Sequence, residues 1–273
     1  MATEQGTVTS KDGTTIAFER SGAGPVIVLV EAALSDRKGT ARLARLLSPR
    51  FTVVNYDRRG RGDSTDTPPY TVDREVDDIE AVIDASTGCA YLFGSSSGTV
   101  LALDAAHRLG RKVRGLVLYE PPFIVDDSRA PMAEGLAGEI DRLVAAGRRH
   151  DAVRLFFRQG MGIPGWAVRL MRWLMPGWSK MVRMAHTIRY DLTLLAGTQD
   201  GRPLPSGRWK SEAPALVMVG GKSEPFFHSG AAAVAGLLPN AQHRSLEGRD
   251  HSAVVMAPKA LAAEIVRFFL NER

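Results

Sequence analysis

The stretch Cys89-Ala90-Tyr91-Leu92-Phe93-Gly94-Ser95-Ser96-Ser97-Gly98 is a short apolar run that ends in the pattern Gly-x-Ser-x-Gly. The segment from Thr99 to His107 follows directly, is rich in small residues and favours a helix. A serine on a tight turn between a strand and a helix must accept strained backbone angles, and flanking glycines let the two elements approach closely. The stretch therefore predicts a nucleophile elbow, with the hydroxyl of Ser96 exposed above a sheet.

Length and composition are those of an ordinary globular protein. The 273 residues fit one large α/β domain, and the single cysteine, Cys89, excludes an internal disulfide. Residues 1–6 have neither a basic start nor an apolar region, and nowhere do about eighteen apolar residues run together. We therefore expect a cytoplasmic protein without a membrane span. The net charge of +5 is modest and predicts no nucleic-acid partner.

Apolar runs alternate with helical segments through most of the chain. Such alternation predicts a mostly parallel central sheet with right-handed crossovers and helices on both faces. A hairpin is predicted over residues 6–22, strands over 25–30, 51–56, 116–119, 215–220 and 243–246, and helices over 36–47, 73–85, 230–238 and 258–270.

The alternation lapses between residues 124 and 209, where only helical segments are predicted. We interpret residues 124–209 as an inserted helical cap, and residues 1–123 and 210–273 as the core domain. The methionines and tryptophans of this segment either pack onto the core or line an apolar pocket. Between Arg142 and Arg189 the only acid is Asp151, so the basic side chains form either a solvated face or a surface that attracts an anionic substrate or surface.

With these elements in place, the chain resembles the α/β-hydrolase superfamily over almost its full length. The resemblance rests on the strand ending at Glu31, the turn Asp57-Arg58-Arg59-Gly60-Arg61-Gly62-Asp63-Ser64, the Ser96 elbow and a late histidine, His251. The sequence Tyr-Glu-Pro-Pro-Phe at residues 119–123 is similar to that of small, mostly uncharacterised bacterial hydrolases. The resemblance implies an α/β-hydrolase fold with a cap. It does not fix the substrate, because this fold hosts many chemistries.

A serine hydroxyl needs a neighbouring base to become a good nucleophile at neutral pH. Of the six histidines, His251 follows the last predicted strand, which is where the superfamily places its base. The other histidines are expected to be structural or solvated, with His186 and His228 retained as alternative pocket residues.

The acid that orients the histidine departs from the superfamily pattern. The usual aspartate position after the strand ending at Gly220 is occupied here by Ser223. Glu120, at the end of the preceding strand, stands at a known alternative location and is the favoured acid. Glu224 is the second candidate, and Asp126 or Asp127 are weaker ones.

The predicted oxyanion hole also differs from the superfamily pattern. The resemblance assigns its two amide donors to Ser97 and Ala33, but the second turn reads Glu31-Ala32-Ala33 where glycine is common. An ionised Glu31 near the oxyanion would oppose it. Glu31 is therefore expected either to point away toward a partner such as an arginine, or to have a raised pKa and donate a proton.

These residues predict a serine hydrolase that acts on a carboxylic ester, lactone or thioester through an acyl-enzyme, with no cofactor and no metal. Three alternatives stay open: a lyase, cyclase or isomerase that uses Glu31 or His251 for proton transfer, a less favoured haloalkane- or epoxide-type hydrolase, and a non-enzymatic ligand-binding protein. The expected partner is a small apolar molecule, with an anionic group left open, and the protein is expected to be a monomer or homodimer.

Overall fold

The computed structural model describes residues 3–175 and 177–270. In this part of the chain, eight strands form a single sheet: β1 (Thr3–Thr9), β2 (Thr15–Ser21), β3 (Val26–Val30), β4 (Thr52–Tyr56), β5 (Ala90–Ser95), β6 (Val113–Tyr119), β7 (Ala215–Gly220) and β8 (Ala241–Leu246). Their spatial order is β1-β2-β4-β3-β5-β6-β7-β8. The pairings of β2 with β1 and β4 are antiparallel and all the others are parallel, which confirms the predicted fold class.

Helices follow the strands at nearly the predicted places: α1 (Ala41–Leu47), α2 (Val72–Asp84), α3 (Ser97–Leu109), α4 (Leu136–Ala145), α5 (Arg149–Leu155), α6 (Gly165–Leu174), α7 (Trp178–Arg183), α8 (Ile188–Leu194), α9 (Pro225–Leu237), α10 (Ala253–Met256) and α11 (Pro258–Leu270). Helix α1 begins later than expected because a turn precedes it, in which the Gly39 N–H donates to the carbonyl of Asp36. Helix α9 begins earlier because Pro225, which lacks an N–H, is well suited to the first helical turn.

Alternate residues of the central strands face two different hydrophobic cores. Ile27 and Leu29 of β3 pack with α1 and α11 on one side, whereas Val28 and Val30 pack with α2, α3 and α9 on the other. All four side chains are fully buried. A continuous apolar strand is therefore explained by burial on both faces.

Along the chain, helices α4 to α8 come between β6 and β7. They enclose a third apolar cluster, which includes Ile140, Val168 and Trp178. This arrangement agrees with an inserted helical segment, and the boundaries 124 and 209 remain a prediction. None of the helices in residues 3–175 and 177–270 is long and apolar enough to cross a bilayer.

Candidate active site

Ser96 lies at the turn between β5 and α3. Its backbone has φ 51° and ψ −126°, a region that side-chain-bearing residues rarely adopt. A Cβ atom on Gly94 would lie 2.5 Å from the carbonyl oxygen of Gly98, and a Cβ atom on Gly98 would collide with the carbonyl oxygen of Val30. The two glycines therefore allow α3 to approach β5 and β3, and this close packing maintains the strained backbone of Ser96.

His251 lies in the loop between β8 and α10, and its Nδ1 atom is 2.6 Å from Oε2 of Glu120. The Glu120 side chain is fully buried, whereas that of His251 is 33% exposed. Phe227 stacks on the imidazole with ring centroids 4.6 Å apart. A carboxylate at Nδ1 favours the tautomer that carries its proton there, which leaves Nε2 free to accept one.

The other oxygen of Glu120 is also bound. Its Oε1 atom accepts a hydrogen bond from the backbone N–H of Gly220 at 2.7 Å and another from the hydroxyl of Ser223. Ser223 stands where the superfamily usually has its aspartate. In this chain, that position supports a carboxylate from the neighbouring strand, and the hydrogen bonds fix the direction in which Glu120 faces His251.

Ser96 and His251 border the same cavity, which has a volume of about 240 Å³. Glu224 also borders it, but its side chain is exposed and it does not contact His251 among the hydrogen bonds of the described residues. The cap contributes mainly apolar side chains, namely Met132, Phe156, Met161, Ile163 and Leu195. The cavity is smaller than the pockets that bind drug-sized ligands, so it suits a small and largely apolar molecule.

The turn after β3 brings Ala32 and Ala33 to the cavity, which Ser97 also lines. Arg61 donates a hydrogen bond of 2.6 Å from Nη1 to the carbonyl oxygen of Ala32. In a trans peptide the carbonyl and the following N–H point in opposite directions. Arg61 therefore turns the N–H of Ala33 away from itself, and no acceptor for that N–H occurs among the described residues.

Asp191 of helix α8 joins this turn to the elbow. Its Oδ1 accepts hydrogen bonds from the Ser97 hydroxyl and from Arg58 Nη1, both at 2.8 Å, and its Oδ2 accepts one from Arg61 Nη2 at 2.6 Å. Burial would raise the pKa of Asp191, but Arg61 and Arg58 lower it below the ordinary value. Arg58 is also paired with Glu75, so these buried charges compensate one another.

Glu31 points away from the cavity, but toward no arginine side chain. Only its backbone carbonyl contacts an arginine, through a 3.1 Å hydrogen bond from Arg58. Its carboxyl group lies near Ser35, Gly39 and Thr40, and burial raises its pKa. The expectation of an arginine partner is therefore wrong, because the nearby guanidinium groups are taken up by carboxylates and by carbonyls of the turn. The raised pKa of the other alternative is present, but the carboxyl group does not border the cavity, where that alternative needs it to donate a proton.

The cap's basic side chains lie mainly at the surface. Between Arg142 and Arg189, the exposed ones are Arg142, Arg148, Arg149, Arg158, Arg169, Arg172, Arg183 and Arg189. Of the Met and Trp residues in the cap, Trp178 and Met184 are buried in its own core, Met161 lines the cavity, and Trp166 and Trp173 are exposed. Met161 therefore fits the pocket interpretation, Trp209 packs onto the core domain, and Trp178 and Met184 belong to the apolar cluster of the inserted helices.

The remaining sequence candidates lie elsewhere. Neither His186 nor His228 borders the cavity as the described residues form it, and neither do Asp126 and Asp127. Burial lowers the pKa of His186, which sits 3.7 Å from Asp66. No group of three or more His, Cys, Asp or Glu side chains in the described ranges could hold a metal ion.

Three residues of the site gave no signal in the sequence: Arg129, Asp191 and Phe227. Asp191 follows the basic stretch between Arg142 and Arg189 closely, whereas Arg129 precedes it by more than three helical turns of sequence. Their roles depend on which groups the fold brings beside them, and those neighbours cannot be predicted from the nearby sequence. The Phe-Phe pair after Pro225 marks an apolar first turn of α9 but does not indicate stacking on His251.

Known proteins share this fold and much of this sequence. The model of the alpha/beta hydrolase family matches residues 33–264. The solved structure of an alpha/beta hydrolase from Sphaerobacter thermophilus is 46% identical, with a TM-score of 0.89, over 97% of this chain and 100% of that one.

Two curated bacterial proteins match shorter segments. An uncharacterised hydrolase, YraK, of Bacillus subtilis is 35% identical over 40% of this chain and 42% of its own length. The bifunctional esterase/perhydrolase DCH of Acinetobacter calcoaceticus is 32% identical over 50% of this chain and 51% of its own. The matched segments thus span about half or less of these two relatives.

Proposed function

The chain belongs to the alpha/beta hydrolase family and is therefore an enzyme, and we propose that it is a serine hydrolase that cleaves a small carboxylic ester, lactone or thioester. One observation carries this proposal: the strained Ser96 and His251, whose Nδ1 contacts the buried Glu120, border a single cavity. Strain at the elbow presents the hydroxyl, and a histidine with a buried carboxylate at Nδ1 is suited to act as a general base.

In the proposed reaction, His251 Nε2 takes the proton of Ser96 as its oxygen attacks the substrate carbonyl. The amides of Ser97 and Ala33 stabilise the oxyanion, and Glu120 stabilises the imidazolium. His251 then gives its proton to the leaving group, which breaks the ester bond and forms an acyl-enzyme. Finally His251 activates a water molecule that releases the acid and restores Ser96.

The apolar cavity favours an apolar substrate, and the basic surface of the cap would raise the local concentration of an anionic one. A cytoplasmic location and a monomeric or dimeric state remain predictions from the sequence. Because Glu31 faces away from the cavity, no contact favours the proton-transfer alternative that uses it.

The proposal is tested by intact-mass analysis after treatment with a fluorophosphonate, together with hydrolysis of p-nitrophenyl butyrate. We expect the wild type to gain one adduct and to turn over the ester. Ser96→Ala should lose the adduct and at least about 10⁴-fold in kcat. Ser95→Ala is the matched control, because Ser95 is the preceding residue but is buried away from the cavity. A folded wild type that forms no adduct and cleaves no ester would refute the proposal.

A further inference from the structure

Arg129 lines the cavity from the cap side, in the segment that follows β6. Its guanidinium lies 4.4 Å from the ring centroid of Phe226, and its Nη2 donates a long hydrogen bond of 3.3 Å to the carbonyl of Gly160. The side chain is therefore held in place by a ring and one carbonyl, which leaves most of its five N–H donors for another group.

This arginine is a cation without a carboxylate partner in residues 3–175 and 177–270. Among the described residues, Glu224 is the acid that acts to raise the pKa of Arg129, but it is exposed and forms no ion pair with it. Burial lowers the pKa of Arg129, so the charge is poorly solvated. An uncompensated, partly buried cation is unfavourable, and an anion that enters the cavity would relieve the cost.

The position of Arg129 relative to the proposed base follows from a series of stacked rings. Phe227 stacks on His251 at 4.6 Å, Phe226 contacts Phe227 at 4.0 Å, and the guanidinium of Arg129 lies 4.4 Å from Phe226. Two phenylalanine rings, those of Phe226 and Phe227, therefore separate the guanidinium of Arg129 from the imidazole of His251. Arg129 and His251 also border the same cavity, so one bound molecule can lie against both.

From this geometry we infer that Arg129 binds an ionised carboxylate of the substrate, so that the enzyme acts on half-esters of small dicarboxylic acids and related carboxylate-bearing esters. The inference rests on the proposed hydrolase function and names its substrate class. A guanidinium matches a carboxylate through two parallel hydrogen bonds. Arg129 is a single cation, and the negative charge of Glu224 lies nearby. The site therefore suits a carboxylate, with one negative charge, better than a phosphate monoester, with two.

The test compares monoethyl glutarate with the uncharged ethyl glutaramate, which has an amide in place of the carboxylate. Release of ethanol is followed by proton NMR. We expect the wild type to prefer monoethyl glutarate. Arg129→Gln should lower kcat/KM for monoethyl glutarate about 10- to 100-fold more than it lowers kcat/KM for ethyl glutaramate. Arg129→Lys should retain part of the preference, because it keeps the charge but not the two-pronged geometry.

Arg172→Gln is the matched control, because it removes the same charge from an exposed site on the cap. It should leave both esters unaffected, whereas an equal loss in the two arginine variants would mean that general attraction by the cap, and not a contact with Arg129, selects the substrate. Equal loss of both esters in Arg129→Gln, or no preference in the wild type, would also overturn the inference.

Binding of glutarate, measured by calorimetry on wild type and Arg129→Gln, separates this inference from the hydrolase proposal. The hydrolase proposal fails if the wild type forms no fluorophosphonate adduct and cleaves neither of these esters nor p-nitrophenyl butyrate. The carboxylate site is then supported by glutarate binding that weakens at least about tenfold in Arg129→Gln. It is refuted if glutarate does not bind, or if it binds both proteins equally.

Discussion

The charges on the two sides of the cavity are arranged in opposite ways. On one side, the floor residues Glu120, Arg58 and Arg61 of the core and Asp191 of helix α8 are fully buried, and each contacts groups of opposite charge or hydrogen-bond donors and acceptors. On the other side, the rim residues Arg129, in the segment after β6, and Glu224, just before α9, lie at the same cavity without forming an ion pair with each other.

The difference shows what each side can do. Buried charges that compensate one another hold the turn and the elbow in fixed positions, and breaking one pair leaves its partner uncompensated. A charge without a partner fixes little in the protein and is available to a ligand. We therefore expect floor variants to change chemistry and stability, and rim variants to change substrate choice.

The largest expected contrast is between the two glutamates. Glu120→Gln keeps the shape of the side chain but cannot stabilise an imidazolium, so kcat should fall by about 10³- to 10⁴-fold. Glu224→Gln should change kcat by less than about threefold, because Glu224 does not contact His251. Steady-state kinetics on both variants, with circular dichroism to establish folding, measures this. A large loss in Glu224→Gln alone would reverse the assignment of the acid.

Asp191→Asn should destabilise the network of buried charges among the floor residues. Asparagine can still accept a hydrogen bond from Ser97, but it leaves Arg61 without a carboxylate, so the free energy of unfolding should fall by about 3 kcal/mol in urea denaturation. The control is Asp141→Asn, whose partner Arg189 is at the surface, and it should cost about 1 kcal/mol or less.

The same variant tests whether Asp191 positions the oxyanion donors. If it does, kcat of Asp191→Asn should fall by about tenfold or more at temperatures where the protein is folded, with little change in KM. A variant that is less stable but has normal kcat would show that Asp191 only stabilises the fold. Because the pKa of Asp191 is lowered, its stabilising effect is present above the ordinary value of 3.8 and is lost in stronger acid.

The smallest expected effect is at Glu31, whose charge has no cation to compensate it. Since burial raises its pKa above the ordinary 4.5, the cost of ionisation is absent below that pH and grows as the pH rises through the folded-state pKa. Glu31→Gln should therefore raise Tm at pH 8 and have no effect near pH 4. Thermal melts across this range should show no such trend for the exposed Glu134→Gln. A gain at Glu31→Gln that is independent of pH would contradict this explanation.

Local sequence predicted the sheet, most helices and the position of Ser96. The prediction succeeds where the cause is local, since apolar runs such as 26–30 need burial on both faces, and Gly94 and Gly98 are required by backbone contacts. It was less accurate for the start of α1, where a turn at residues 36–39 replaces the first helical turn. It was wrong about the partner of Glu31, because the side chains that compete for each arginine are distant in sequence.

The sequence by itself thus determined the α/β fold and the elbow. Strand burial requires runs of apolar residues, and close backbone approach requires glycines, so both can be read from consecutive residues. Only the tertiary structure decided which groups meet at the cavity. Glu120 and His251 are 131 positions apart, and Arg58 and Asp191 are 133 apart. Such pairs form when neighbouring strands and the inserted helices are assembled, and the same assembly leaves Arg129 without a carboxylate among the described residues. The physical reason is that a charge is compensated by charged and polar groups within a few ångströms of it. The spacing of residues along the chain does not determine which groups those are.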